Sequence, residues 1–227
     1  MSRLALVGMV LLAFGLFARD GPPPHFSAAF PAGEDFQFAP PEPGSYALPP
    51  IRTAPDGMVL DKDGRAQRLA ALTWGRISLV SFVYLTCGDV NGCPLAMATL
   101  FDIHDASLKV PQLRDKVQLV TISFDPDRDT VGAIASFAWP ITADPEAAQK
   151  IAWHVLTTAS RARLQPILDG YGQVIDRQPD QETISHLLRI YLVDGQGRIR
   201  NIYGLGQIDP RLLMTDVETL MMEERRG

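Results

Sequence analysis

The stretch Ile77–Leu108, ISLVSFVYLTCGDVNGCPLAMATLFDIHDASL, constrains the fold most. Its first part, Ile77–Leu85, is uncharged and rich in β-branched and aromatic residues. That pattern reads as a strand buried on both faces, as in a sheet covered by helices. Thr86, Cys87, the polar loop Gly88–Gly92 and Cys93-Pro94 follow. Beyond Pro94, Leu95, Leu100, Ile103 and Leu108 recur at roughly helical spacing, and Pro94 suits a first helical turn. The only two cysteines of the chain thus sit where a buried strand hands over to a helix. Helix N-termini favour thiolates through their free N–H groups, so the expectation is a stabilised thiolate pair.

The remaining pattern builds a sheet around that unit. Gly57–Leu69 reads as a β-hairpin turning at Lys62-Asp63-Gly64. Val117–Phe124 is a second buried strand, and Asp129 or Thr130 caps a helix that Trp139-Pro140 should stop. Asp144–Ala152 reads as a short helix, His154–Leu156 as a strand, and Ser160–Tyr171 as a helix bent or divided at Pro166. Gln173–Ser185 is polar and aperiodic. Leu187–Val193 and Arg198–Tyr203 form a hairpin, and Asp209–Arg225 an amphipathic helix. The expected fold is α/β and thioredoxin-like: a central mixed sheet flanked by helices, with an N-terminal β-hairpin extension. The two central strands should be parallel, with the last hairpin adding antiparallel edges.

Three segments are expected. Residues 1–19 hold Arg3 followed by the apolar run Leu4–Ala18, which fits an export signal or membrane anchor. No cysteine follows it closely, which excludes a bacterial lipid anchor. Residues 20–55 are Pro-rich and read as an extended linker in which His25 is exposed. Residues 56–227 form the domain. Export implies an oxidising compartment, where Cys87 and Cys93 could form a disulfide. A formal net charge of −5 and the lack of a basic run, apart from Arg225-Arg226, argue against nucleic acid as a partner.

Several stretches resemble the SCO/SenC copper-delivery proteins. Phe82–Cys87 with Cys93-Pro94-Leu95 is similar to that family's cysteine motif. Ser123-Phe124-Asp125-Pro126-Asp127-Arg128-Asp129-Thr130 resembles its S-x-D-P-x-R-D-T segment, and Trp153–Thr157 its W-x-x-L-T segment. Ser185-His186, followed by Tyr191–Asp194 and Gly197, resembles its histidine-bearing loop. The resemblance implies copper held by Cys87, Cys93 and His186, tethering outside the cytoplasm, and service to a copper-receiving membrane protein such as a respiratory oxidase subunit. Two thiolates and an imidazole are a soft donor set suited to Cu(I), and the imidazole also accommodates Cu(II). Structural zinc would want a fourth protein ligand, and the chain has no third cysteine. The chain departs from the family in spacing its cysteines C-x-x-x-x-x-C rather than C-x-x-x-C, with Asn91-Gly92 looking inserted, and in carrying Ser185 where an acid usually precedes the histidine.

Alternatives stand beside this. Cys87 as attacking and Cys93 as resolving thiol would make a thiol–disulfide oxidoreductase. A peroxidase has little support, because the spacing around Thr86-Cys87 does not fit. His104 lies about 16 Å of helix beyond Cys93 and is set aside. His154 reads as a packed or edge histidine, and Met97 as a core residue. For Asp125, Asp129 and Arg128, strand-end, capping and pairing roles suffice.

Overall fold

The computed structural model describes residues 25–33, 39–87, 92–177 and 184–225. The apolar run Leu4–Ala18 and the loop Gly88–Asn91 lie outside them. Among the described residues, no helix is long and apolar enough to cross a membrane.

The elements in chain order are β1 (Arg52–Thr53), β2 (Met58–Leu60), β3 (Ala66–Arg68), α1 (Leu69–Thr73), β4 (Ile77–Val83), α2 (Cys93–Ala106), β5 (Val117–Ser123) and α3 (Val131–Thr142). Then follow β6 (Ala152–Leu156), α4 (Arg161–Tyr171), β7 (Ile175–Arg177), β8 (Ile184–His186), β9 (Ile190–Val193), β10 (Arg198–Tyr203) and α5 (Pro210–Glu224). One sheet runs β1-β10-β9-β4-β5-β6. β4 and β5 are parallel neighbours, Leu79 opposite Leu119, and every residue of both is buried. β6 adds a parallel edge, while β9 pairs antiparallel with β4. β2 and β3 form the expected hairpin.

Polar side chains inside the sheet pair with one another, as burial demands. Ser81 Oγ lies 3.1 Å from Thr121 Oγ1, and Trp153 Nε1 donates to the same hydroxyl at 3.0 Å. An aromatic cluster joins the sheet to α4: the rings of Tyr171 and Tyr191 are 4.9 Å apart, and Phe82 meets Tyr171 at 5.2 Å.

Several expectations are corrected. α3 continues through Pro140 to Thr142, because Ile141 beyond the proline is buried and keeps the last turn packed. α4 is likewise one helix across Pro166. Asp144–Ala152 is not a helix beyond a single 3₁₀ turn, Ala147–Gln149. Asp144 instead caps a local turn through Glu146 N and accepts Lys150 Nζ at 2.6 Å. The final hairpin is not the sheet edge, since β1 pairs outside β10. Part of the stretch expected to be irregular is a ladder of β7 on β8, with Ile175 opposite His186.

The Pro-rich segment is also not a free linker where it is described. Phe30 and Leu48 are buried, and the segment lies along α5, several of whose polar residues are buried. Asp216 accepts hydrogen bonds from the hydroxyls of Tyr46 and Tyr203 and from Asn201 Nδ2, while Thr219 Oγ1 accepts Gly44 N. His25 is not exposed as expected: its Nδ1 lies 2.9 Å from Glu218 Oε1, and Ser27 N donates to Glu218 Oε2 at 3.0 Å. This bond to Glu218 raises the His25 pKa above its ordinary value. The sign follows: the contribution is complete below the ordinary histidine pKa and is lost as pH rises through the raised one. Glu218→Ala is expected to lower stability by about 1–2 kcal/mol, read from urea unfolding, because donors on the strap lose their acceptor. Most of that difference should persist at alkaline pH, where the backbone N–H groups still donate.

Candidate metal centre

β4 ends at Val83 because the following backbone is diverted. Phe124 N donates to Val83 O at 2.8 Å, but Leu85 N turns to Asp129 Oδ2 at 3.1 Å. Asp129 is buried and also accepts Ser123 Oγ at 2.5 Å. Burial pushes its carboxyl above the usual carboxylate range, against the pull of those donors. Asp125 N donates to Ser123 Oγ at 3.0 Å, and Thr130 caps α3 through Ala133 N at 3.3 Å. Arg128 pairs with Asp125, and its guanidinium lies 5.8 Å above the Tyr84 ring. The segment Ser123–Thr130 is thus the frame that shapes the loop Tyr84–Cys87.

The same frame reaches the histidine. Arg177 on β7 donates to Asp125 Oδ1 at 3.2 Å and to Phe124 O. β7 carries β8, with Arg177 opposite Ile184, and β8 ends at His186. The His186 ring packs against Phe124 at 4.9 Å and edge-on to Tyr84 at 5.8 Å. Its Nδ1 lies 3.0 Å from Ile184 O, so Nδ1 carries the proton and Nε2 offers its lone pair. Ser185, which replaces the expected acid, is exposed; the orienting acceptor is the Ile184 carbonyl.

Cys87 is half-buried and Cys93 buried, and both thiols are free. One ligand atom from each of Cys87, Cys93 and His186 lies within 4.8 Å of the other two. The separation between Cys93 Sγ and His186 Nε2 is 3.4 Å. Metal–sulfur and metal–nitrogen bonds of about 2.3 and 2.0 Å need donors roughly 3.3–4 Å apart, so small side-chain adjustments close the set on one ion. Burial pushes the Cys93 thiol up to about 12; the Tyr84 N–H aimed at it pulls the other way, and the neighbouring Cys87 raises it again. For Cys93 this corrects the expected helix-terminus effect: in the metal-free state desolvation outweighs the N–H groups. A bound cation reverses this balance, since a coordinating thiol is deprotonated. Burial also raises the Tyr84 phenol, as does its hydrogen bond to Cys87. Beside the thiols lies an apolar recess of about 130 Å³, walled by Tyr84, Leu85, Cys87, Cys93, Met97 and Phe137.

The other candidates fall elsewhere. His104 is buried against Trp153, with ring centres 5.5 Å apart. It groups with Asp105 and Asp144, but Lys150 Nζ lies 2.6 Å from both carboxylates and already supplies their cation. His154 is half-buried on the edge strand β6, and burial lowers its pKa. Tyr84, Arg177 and Ile184 were not singled out from sequence. Tyr84 precedes Cys87 by one turn, which was the available signal; nothing local marked Arg177 or Ile184.

Comparison with known proteins agrees with this architecture. Among curated proteins, no relative matches the chain. A copper-bound ScoI from Arabidopsis thaliana is 21% identical, with a TM-score of 0.58, covering 77% of this chain and 99% of that one. A SCO1/SenC family lipoprotein from Bacillus anthracis is 20% identical, with a TM-score of 0.63, covering 78% of this chain and 99% of that one. BsSco, described through a disulfide switch and as a member of the Sco family of cytochrome c oxidase assembly proteins, is 20% identical, with a TM-score of 0.58 over 79% of this chain and 97% of that one. At these identities the likeness establishes the fold, which is thioredoxin-like. The family model for SCO1/SenC matches residues 56–222, the whole of the sheet beyond β1 and all the candidate ligands, and the chain belongs to that family.

Proposed function

We propose that the chain carries copper outside the cytoplasm, bound by Cys87, Cys93 and His186, and passes it to a membrane protein during respiratory oxidase assembly. One observation supports this above all: two sulfurs and an imidazole nitrogen within 4.8 Å of one another, brought there from the loop after β4, the start of α2 and the end of β8. Copper is the cargo. The donor set is soft enough for Cu(I), while the imidazole lets it hold Cu(II). Three ligands leave a coordination position open, through which an acceptor's ligand enters and the ion leaves by exchange. The chain's own groups fix the geometry: Ile184 O sets the imidazole tautomer, and Asp129 and Arg128 hold the loop that carries Cys87. Delivery fits the copper-bound relative and the assembly role stated for BsSco. The extracytoplasmic, membrane-tethered setting rests on Arg3 and the apolar run Leu4–Ala18.

A second reading is favoured by the nearness of the two thiols and by the disulfide switch described for BsSco. The more exposed Cys87 would attack a partner disulfide and Cys93 would resolve it. The partner gains two electrons and two protons, while Cys87 and Cys93 become a disulfide. His186→Ala separates the readings. Cu(II) affinity should fall about a hundredfold or more, Cu(I) affinity less, and reduction of a model disulfide should change no more than about twofold. Unchanged Cu(II) binding with collapsed exchange would replace the carrier reading by the oxidoreductase.

A further inference from the structure

The strap along α5 doubles back on itself. Its first arm begins where His25 Nδ1 and Ser27 N meet the Glu218 carboxylate. It reaches the N-cap of the helix, where Gly33 N donates to Asp209 Oδ2 at 2.5 Å. The second arm returns along the same helix: Gly44 N donates to Thr219 Oγ1 at 3.0 Å, and the Tyr46 hydroxyl bonds Asp216. The two arms also meet each other, with His25 Nε2 3.6 Å from Glu42 Oε1. Each arm is pinned by a buried apolar side chain, Phe30 on the first and Leu48 on the second. Beyond Leu48 the chain joins the sheet, as Ile51 N donates to Ile199 O at 2.8 Å and β1 pairs with β10. The stretch from His25 to Gly44 therefore starts and ends at neighbouring residues of α5, Glu218 and Thr219.

Only Arg19–Pro24 separate this strap from the apolar run Leu4–Ala18. Six residues, fully extended, span about 20 Å. Were the whole stretch from Arg19 to Ile51 free, the same arithmetic would give a reach of about 110 Å. We propose that the strap stores tether length: docked on α5, it leaves Arg19–Pro24 as the whole tether and holds the α5 face within about 20 Å of the bilayer. This rests on the membrane-tethered reading above and deepens it. The working height of the domain is then set by contacts with α5, and the length of the Pro-rich segment does not set it. A short tether confines the metal centre to a layer beside the membrane. That raises its effective concentration toward a recipient embedded in the same membrane, and keeps it from a partner standing further out.

The test uses the full chain reconstituted in phosphatidylcholine vesicles that carry a dansyl-labelled headgroup. Energy transfer from the tryptophans reads the height of the domain; Trp74 and Trp139 are exposed. Two variants lengthen the tether by different routes. A flexible Gly/Ser insertion as long as the strap, placed between Pro24 and His25, adds length and leaves every strap contact in place. Phe30→Ser combined with Glu218→Ala releases the first arm from α5. Each should lower the transfer at least about twofold, because flexible reach grows with the number of free residues. Both should float with the vesicles as the wild type does, since neither touches the apolar run. Unchanged transfer after the insertion overturns the inference, because the domain would then be held to the bilayer by its own surface. A fall with the insertion but none on release of the arm also overturns it, since docking on α5 would not be what limits the tether. A wild-type chain that fails to float overturns the membrane-tethered reading and the inference with it.

Discussion

Replacing Cys93 by alanine is expected to remove copper binding in both valences while leaving the fold intact. Its sulfur is buried, lies 3.4 Å from His186 Nε2, and is one of only two thiols in the chain. Without it the set reduces to one half-buried thiol and one imidazole, too few donors to compete with water and buffer ligands. A fall of at least about a thousandfold, or roughly 4 kcal/mol, is expected in competition titrations against a chelator for either valence. The stability cost is far smaller, about 1 kcal/mol, since only one sulfur atom leaves the core at the start of α2. A variant that binds Cu(I) within tenfold of the wild type would place the ion elsewhere.

The second large effect is on stability. Asp129→Ala is expected to cost about 3 kcal/mol, because the half-buried Leu85 N–H and the buried Ser123 hydroxyl lose one shared acceptor. The loop Tyr84–Cys87 then loses its anchor, so copper affinity should fall as well. Asp129→Asn keeps an acceptor and should cost less. It also separates charge from shape. Burial raises the folded carboxyl, so its favourable contribution is complete below the ordinary carboxylate pKa and is lost as pH rises through the raised value. Urea unfolding across that interval should show stability falling with pH in the wild type, and this component missing in the asparagine variant. Equal pH dependence in both would assign the effect to another carboxylate.

The strand, loop and helix from Ile77 to Ala106 were legible because burial on both faces leaves an uncharged β-branched run, and a helix follows at its own period. His186 was not legible by such means. A histidine in a polar segment has no periodicity, and only the resemblance to a family marked it. β7 and β8 are three residues each, too short to show alternation, yet they carry His186 to the cysteines. The strap along α5 was hidden for another reason. Proline fixes an extended backbone whether the segment is solvated or packed, so composition cannot tell the two apart. The signal lay on the other partner: Thr215, Asp216, Glu218 and Thr219 interrupt the apolar face of α5, and each is buried. The roles of Asp125, Asp129 and Arg128 were underestimated, because a cap and an ion pair described them adequately until the loop they hold was visible.

The most direct measurement is the copper retained by the reduced full chain after gel filtration, with Cu(I) and Cu(II) offered separately in slight excess. One copper per chain is predicted in each case, falling to none in the Cys87→Ala, Cys93→Ala double variant. Retention of no copper in either valence by the wild-type chain would contradict the account, leaving the SCO1/SenC fold without its metal.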